Sequence, residues 1–218
     1  MGYLNLQNPQ PLAGAVGKVT QVARAIGLDD RIGPRFLHAG IGWGGSCFGK
    51  DTRAIVATAA RYDYDLQLVR ASMEVNRLQR LRIIEKLQDH LKVLRGRTIG
   101  ILGLAFKGGT DDLRESPPLT LIEVLADRGA TVRAHDPIAI PNATKQHPDL
   151  PVEYAEDVVE LARDCDAVVL ATDWADYRHP PLEAMREVMR GDLFLDARNL
   201  LDAEDVEAAG LRYVGVGR

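Results

Sequence analysis

From Thr98 onward, short apolar runs alternate with helix-like segments, and this alternation limits the possible fold more tightly than any other feature of the sequence. Thr98 to Gly103, Thr131 to His135, Val152 to Tyr154, Ala167 to Ala171, Leu193 to Asp196 and Arg212 to Val216 read as strands. Pro117-Pro118 opens a helix over Leu119 to Arg128, and Gly129 marks its end. Further helices are expected near Glu156 to Arg163, Pro181 to Met189 and Asp202 to Ala209, while the stretch after Asp136-Pro137 reads as a proline-punctuated loop. Strands alternating with helices build a parallel, doubly wound sheet. Ligands of such sheets bind at the strands' carboxyl ends. That rule directs attention to Leu104 through Arg114 and to Ala197-Arg198-Asn199.

The part before this unit has another character. A short helix is expected over Val16 to Ile26, then a glycine-rich loop, then one proline-free helix from about Asp65 to Leu94. Along it Leu66, Val69, Met73, Leu81, Ile84, Leu87, Leu91 and Leu94 form an apolar stripe at spacings of three and four. A stripe of this length serves as a domain spine or a dimer interface, and a homodimer through residues 65–94 is expected. The organisation is therefore α/β: a partial all-α domain with a long spine helix over 1–94, then a Rossmann-like doubly wound parallel sheet over 95–218.

Bulk properties narrow the function. A net charge of −4 argues against a nucleic-acid partner. No apolar run reaches the roughly 18–20 residues of a membrane span. The N-terminus has no basic segment leading into an apolar core, and two cysteines far apart make no disulfide framework. A reduced, cytoplasmic protein is expected. Five histidines without ligand spacing give no reason to expect a metal.

Cys47 lies in Gly44-Gly45-Ser46-Cys47-Phe48-Gly49-Lys50-Asp51, directly before a helix expected from Asp51 to Ala60. A thiol acts as a nucleophile when ionised, and a nearby cation and a helix N-terminus both help. Lys50 supplies the cation, and the glycines would let a substrate approach the backbone. Gly44-x4-Gly49-Lys50 also imitates a phosphate loop, but Asp51 stands where the Mg²⁺-holding hydroxyl belongs, so that reading is rejected. Cys165, set between two aspartates at a strand start, reads as structural. The loop after the first strand carries Lys107 and Arg114 but no G-x-G-x-x-G, so a plain dinucleotide site is not indicated.

Several segments together resemble the UDP-glucose/GDP-mannose dehydrogenase family. They are Asp30-Arg31-Ile32-Gly33, Gly42 through Asp51, Val75-Asn76, Gly103 through Pro117, Asp136-Pro137, Thr172-Asp173-Trp174 and Asp196-x-Arg198-Asn199. The resemblance implies a four-electron oxidation of a sugar-nucleotide C6 alcohol by NAD, through a cysteine thiohemiacetal and thioester. It makes Cys47 the nucleophile and gives Asp51 the positioning or activation of water. It places Phe36, Leu37, Trp43, Gly44, Phe106, Lys107 and Arg198 around the sugar nucleotide, with Arg31 reaching it from a partner subunit. Lys50 and Arg114 would approach NAD. Gly109 to Pro117 fits the GDP-mannose branch of the family well, while Gly42-Trp43 and Thr172-Asp173-Trp174 favour UDP-glucose as substrate. The match begins partway through the family's central domain. The expectation is that the main NAD-binding domain lies outside this chain, a separate N-terminal chain being one place for it, and that the chain alone is inactive. A non-catalytic sugar-nucleotide module is the alternative.

Overall fold

A computed structural model describes residues 19–217. The start of the expected helix at Val16 lies outside the described residues. Three helices come first: α1 (Val19–Gly27), α2 (Phe48–Ala60) and α3 (Gln67–Leu91). The alternating unit follows as β1 (Thr98–Leu102), α4 (Pro117–Asp127), β2 (Thr131–His135), α5 (Ile140–Gln146), β3 (Glu153–Tyr154), α6 (Val158–Ala162), β4 (Ala167–Leu170), α7 (Leu182–Val188), β5 (Leu193–Asp196), α8 (Ala203–Ala208) and β6 (Arg212–Gly215).

The strands form one sheet in the order β3-β2-β1-β4-β5-β6. Every pairing is parallel, with Ile99 opposite both Val132 and Ala167. Helices cover both faces, which is why β4 is an unbroken apolar run and why β4 and β5 are buried along their whole length. Gly100 shows how closely those helices approach: a Cβ there would lie 2.7 Å from Leu161 of α6. Strand order reverses between β1 and β4, so a crevice opens above their carboxyl ends.

Two local expectations need correction. The stretch after Asp136-Pro137 is not all loop, because α5 occupies Ile140–Gln146 with its proline in the first turn, where a missing N–H costs nothing. A single 3₁₀ turn, Ala175–Tyr177, also interrupts the connection after β4.

The long helix is real, 25 residues and about 37 Å at 1.5 Å per residue. Its stripe, however, is largely covered from within. Ile83, Ile84, Leu87 and Leu94 are buried in the common core, and α3 packs on α4. The argument that this stripe awaits a second copy therefore fails for the C-terminal half of α3. Exposed apolar side chains cluster earlier, at Ile55, Tyr62, Tyr64 and Leu68. Among the described residues no helix is long and apolar enough to cross a membrane.

Candidate functional site

The crevice is built first by a buried carboxylate. Asp136 follows β2 directly and turns inward. Its Oδ2 accepts the backbone N–H groups of Leu104 (2.7 Å) and Ala105 (3.1 Å) and the indole N–H of Trp174 (3.1 Å). Its Oδ1 accepts those of Ile138 (3.1 Å) and Ala139 (2.8 Å). The loop after β1 is thus fixed at its root. Ser116 Oγ donates to Leu104 O at 2.5 Å, and Thr172 Oγ1 donates to Ala105 O at 2.7 Å.

Arg198, just beyond β5, reaches across the same crevice. Its Nε donates to Ala171 O (2.9 Å) and its Nη2 to Phe106 O (2.8 Å). Burial pulls its pKa below the ordinary guanidinium value, against the opposing charges of Asp173 and Asp196. It is a bracing cation rather than a free surface arginine. Lys107 is exposed with its Nζ 5.4 Å from the Phe106 ring centroid, which leaves the ammonium open to solvent beside the crevice.

Residues 40–46 cross this crevice as a strap. Ile41 N–H donates to Ala197 O (2.9 Å) and Gly45 N–H to Arg114 O (2.9 Å). Gly44 and Gly45 are glycines because the loop after β1 presses on them. A Cβ on Gly44 would lie 2.5 Å from Glu115 O and 2.9 Å from Phe106 Cβ, and Gly45 has φ +86° with the Phe106 ring 2.9 Å from its missing Cβ. The close approach expected of a substrate is made here by the protein's own loop. On the other side Asn76 of α3 clasps Trp43, accepting its N–H at 2.7 Å and donating to its carbonyl at 3.1 Å.

The strap delivers Cys47 to the start of α2, where it is exposed. Its sulfur lies 3.7 Å from Ser46 Oγ, and its carbonyl accepts Asp51 N–H at 2.9 Å, so the helix begins at the cysteine itself. The N-terminal end of a helix favours negative charge, as a thiolate carries. Lys50 turns instead to Asp51, 3.4 Å away, both side chains being exposed. Arg114, whose carbonyl holds Gly45 of the strap, has its pKa raised chiefly by the hydrogen bond it donates to Asp112. Arg114 grips Asp112 with two bonds, Nε–Oδ1 2.9 Å and Nη2–Oδ2 2.7 Å, and that grip holds the Asp112 carboxyl below its usual range.

The other expected residues are more dispersed. Trp43 is partly buried and packs edge-on to Phe48 at 5.0 Å between centroids. Leu37 is partly buried, whereas Phe36 is 99% exposed with φ +64°. Arg31 is exposed and paired with Asp29 at 2.6 Å. Cys165 contrasts fully with Cys47: it is buried, its thiol donates to Leu161 O at 3.1 Å, and burial pushes its pKa up to about 12. Two concavities, one between α2 and α3 and one of about 460 Å³ between the starts of α7 and α8, lie away from Cys47.

Sequence reasoning singled out Asn76 and Asp136 only within matching segments and gave no role to the residues that assemble the site. Asp136, Asn76, Gln79 and Arg80 act on backbone, and backbone partners leave no mark in side-chain pattern. One signal was available: Asn76, Gln79 and Arg80 lead into the apolar face of Ile83, Ile84 and Leu87 at spacings of three and four, and polar groups there need a polar neighbour.

NAD does not fit the sheet described here. The first β–α turn lacks the glycine fingerprint, and the acidic side chain after β2 is committed to the turn's own backbone instead of facing outward to a ribose.

Comparison with known proteins agrees with this geometry. Residues 13–78 match the family model described as the central domain of the UDP-glucose/GDP-mannose dehydrogenase family, and residues 100–203 match that family's UDP binding domain. A UDP-glucose 6-dehydrogenase of Bacillus subtilis is 42% identical over 200 residues, 92% of this chain and 45% of the relative. One from Haloferax volcanii is 42% identical over 193 residues, 88% of this chain and 43% of the relative. Among solved structures, a UDP-glucose dehydrogenase from Pyrobaculum islandicum superposes with TM-score 0.81 at 36% identity, over 92% of this chain and 44% of that one. The chain thus spans under half the length of the relatives it matches.

Proposed function

Since the chain belongs to the UDP-glucose/GDP-mannose dehydrogenase family, we propose that it supplies the nucleophile and the sugar-nucleotide site of a UDP-glucose 6-dehydrogenase. NAD, bound outside residues 98–215, would supply the oxidising chemistry, as hydride acceptor for both oxidations. The chain's own work is done by sulfur. The Cys47 thiolate adds to the C6 aldehyde carbon and the carbonyl oxygen takes a proton, giving a thiohemiacetal that holds the intermediate in place. After the second oxidation a water adds to the thioester carbon, and sulfur leaves as thiolate with release of the uronic acid. Asp51, one turn along α2 from Cys47, is the carboxylate placed to orient that water.

UDP-glucose would lie with its diphosphate toward Lys107 and the Phe106 loop and its sugar beside the strap, near Trp43 and Leu37, Gly44 shaping the strap by packing on that loop. Arg198 braces the loop beneath it, Arg31 and Phe36 face outward as groups offered to a second copy, and Lys50 and Arg114 face the NAD side. The same reading carries a division near residue 94, a cytoplasmic setting, a role in UDP-glucuronate supply for polysaccharide synthesis, and a homodimer. The apolar surface for that homodimer is Ile55, Tyr62, Tyr64 and Leu68.

One observation carries the proposal: the segment bearing an exposed cysteine is hydrogen-bonded to the nucleotide loop itself, Gly45 N–H to Arg114 O at 2.9 Å. Calorimetry on the full chain tests it. UDP-glucose should bind, and more tightly than GDP-mannose, with the Cys47→Ser variant binding as well as the native chain. No heat with UDP-glucose refutes the reading, and tighter binding of GDP-mannose transfers it to the other branch.

A further inference from the structure

Three polar side chains of α3 face the strap. Two are local: Asn76 clasps Trp43, and Gln79 Nε2 donates to Gly40 O at 3.0 Å. Arg80 reaches further. Its Nη2 donates to Trp43 O (3.1 Å) and to Glu115 O (3.3 Å), and its Nη1 donates to Thr120 Oγ1 (3.1 Å). One cation therefore joins the strap, the loop after β1 and helix α4. The loop residue it holds is itself unusual: Glu115 adopts φ +51°, and its carboxylate pairs with Arg53 of α2, the helix that Cys47 begins.

Arg80 is a poor choice for a place that needs only filling. It is half-buried, burial lowers its pKa against the attraction of Glu115, and its Nε is a buried donor without a partner. A methionine would fill the space and leave no unpaired donor. What a methionine lacks is the planar fork, which reads two carbonyls and a hydroxyl at fixed separation.

We propose that Arg80 is the positioning residue that sets the cysteine strap in register with the nucleotide loop. This rests on the reading that a sugar nucleotide lies on that loop. Because a single Nη2 serves both Trp43 O and Glu115 O, the strap cannot slide along the loop without lengthening one bond. Without the cation, Asn76 still ties the strap to α3, while the cysteine end keeps Gly45 N–H on Arg114 O and the exposed Arg53–Glu115 pair. The nucleotide end of the site is left intact while Cys47 loses its placement over the sugar.

The test uses the full chain, Arg80→Met and Arg80→Lys. The rate of Cys47 alkylation by iodoacetamide is measured by peptide mass spectrometry, with and without saturating UDP-glucose, and UDP affinity is measured separately by calorimetry. In the native chain UDP-glucose should slow alkylation about tenfold or more; in Arg80→Met the slowing should fall below about twofold while UDP affinity stays within about twofold. Arg80→Lys should fall between, since an ammonium reaches one carbonyl at a time. Cys165 labelling in the same samples reports general loosening and should stay absent. The proposal is overturned if Arg80→Met shields Cys47 as fully as the native chain, or if UDP affinity falls in step with shielding. If Arg80→Met exposes Cys165, Arg80→Lys decides, and full shielding there overturns the proposal. A native chain that UDP-glucose does not shield refutes the sugar-nucleotide reading first, and the Arg80 role falls with it.

Discussion

Replacing Asp136 by alanine should damage both stability and nucleotide binding, for one reason. The carboxylate is 3% exposed and accepts five N–H groups, among them Leu104 and Ala105 at 2.7 and 3.1 Å, and it pins the amide side of the root of the loop that carries Phe106 and Lys107. Each buried donor left unpaired costs about 1–3 kcal/mol, and water entering the vacated space recovers part of that, so about 4 kcal/mol is expected. For a chain of this size that corresponds to a fall in Tm of about 8–16 °C. Asp136→Asn keeps the shape but turns an N–H₂ toward donors on one side, and about half the loss is expected. Urea unfolding gives the stability change, and calorimetry at low temperature, where the variant is still folded, gives UDP-glucose affinity, expected to fall at least about tenfold. An alanine variant within about 1 kcal/mol of the native chain, with unaltered affinity, would refute the reasoning.

Other consequences follow from single contacts. Gly44→Ala puts a methyl 2.5 Å from Glu115 O, so the strap must lift, and UDP-glucose affinity should drop while the sheet's thermal transition hardly moves. A thiol reagent at neutral pH should label one cysteine per chain, Cys47, with Cys165 reacting only in denaturant because burial holds its pKa at about 12; two fast thiols would contradict the burial argument. Acidification should destabilise the fold through His135, whose imidazole burial holds below its ordinary value while its Nδ1 lies 2.9 Å from the buried Tyr177 hydroxyl. The unfolded chain then takes up the proton first, so stability present at neutral pH is lost as pH falls through about 6.5. His90 is shifted the same way, so the His135→Gln variant should lose only part of the pH dependence, and an unchanged urea profile between pH 7 and 5.5 would remove the His135 contribution.

The sheet was legible because both of its faces are covered, which turns its strands into continuous apolar runs such as Ala167–Leu170 that punctuation by Gly129 and Pro137 sets apart. Helix α5 was not: its proline, which reads as a breaker, sits in the first turn where it does no harm. The cysteine and its helix were legible from local chemistry, but the helix starts at Phe48, three residues before the Asp51 expected, so that Cys47 caps it. How the cysteine is held was not. That depends on Trp43, Gly45 and Glu115 offering backbone groups to Asn76, Arg114 and Arg80, contacts between residues far apart in sequence that side-chain pattern does not encode. The apolar stripe of α3 misled for a related reason, since periodicity announces a buried face without naming what buries it, and here α4 of the same chain does so.

An affinity label tests the central claim most directly: a uridine diphosphate carrying a haloketone arm in place of the sugar. If Cys47 stands over a nucleotide held by the Phe106–Lys107 loop, the label should alkylate Cys47 once per chain, at a rate that saturates with its concentration and is suppressed by UDP. Labelling that rises without saturation, ignores UDP, or falls on another residue would contradict the account.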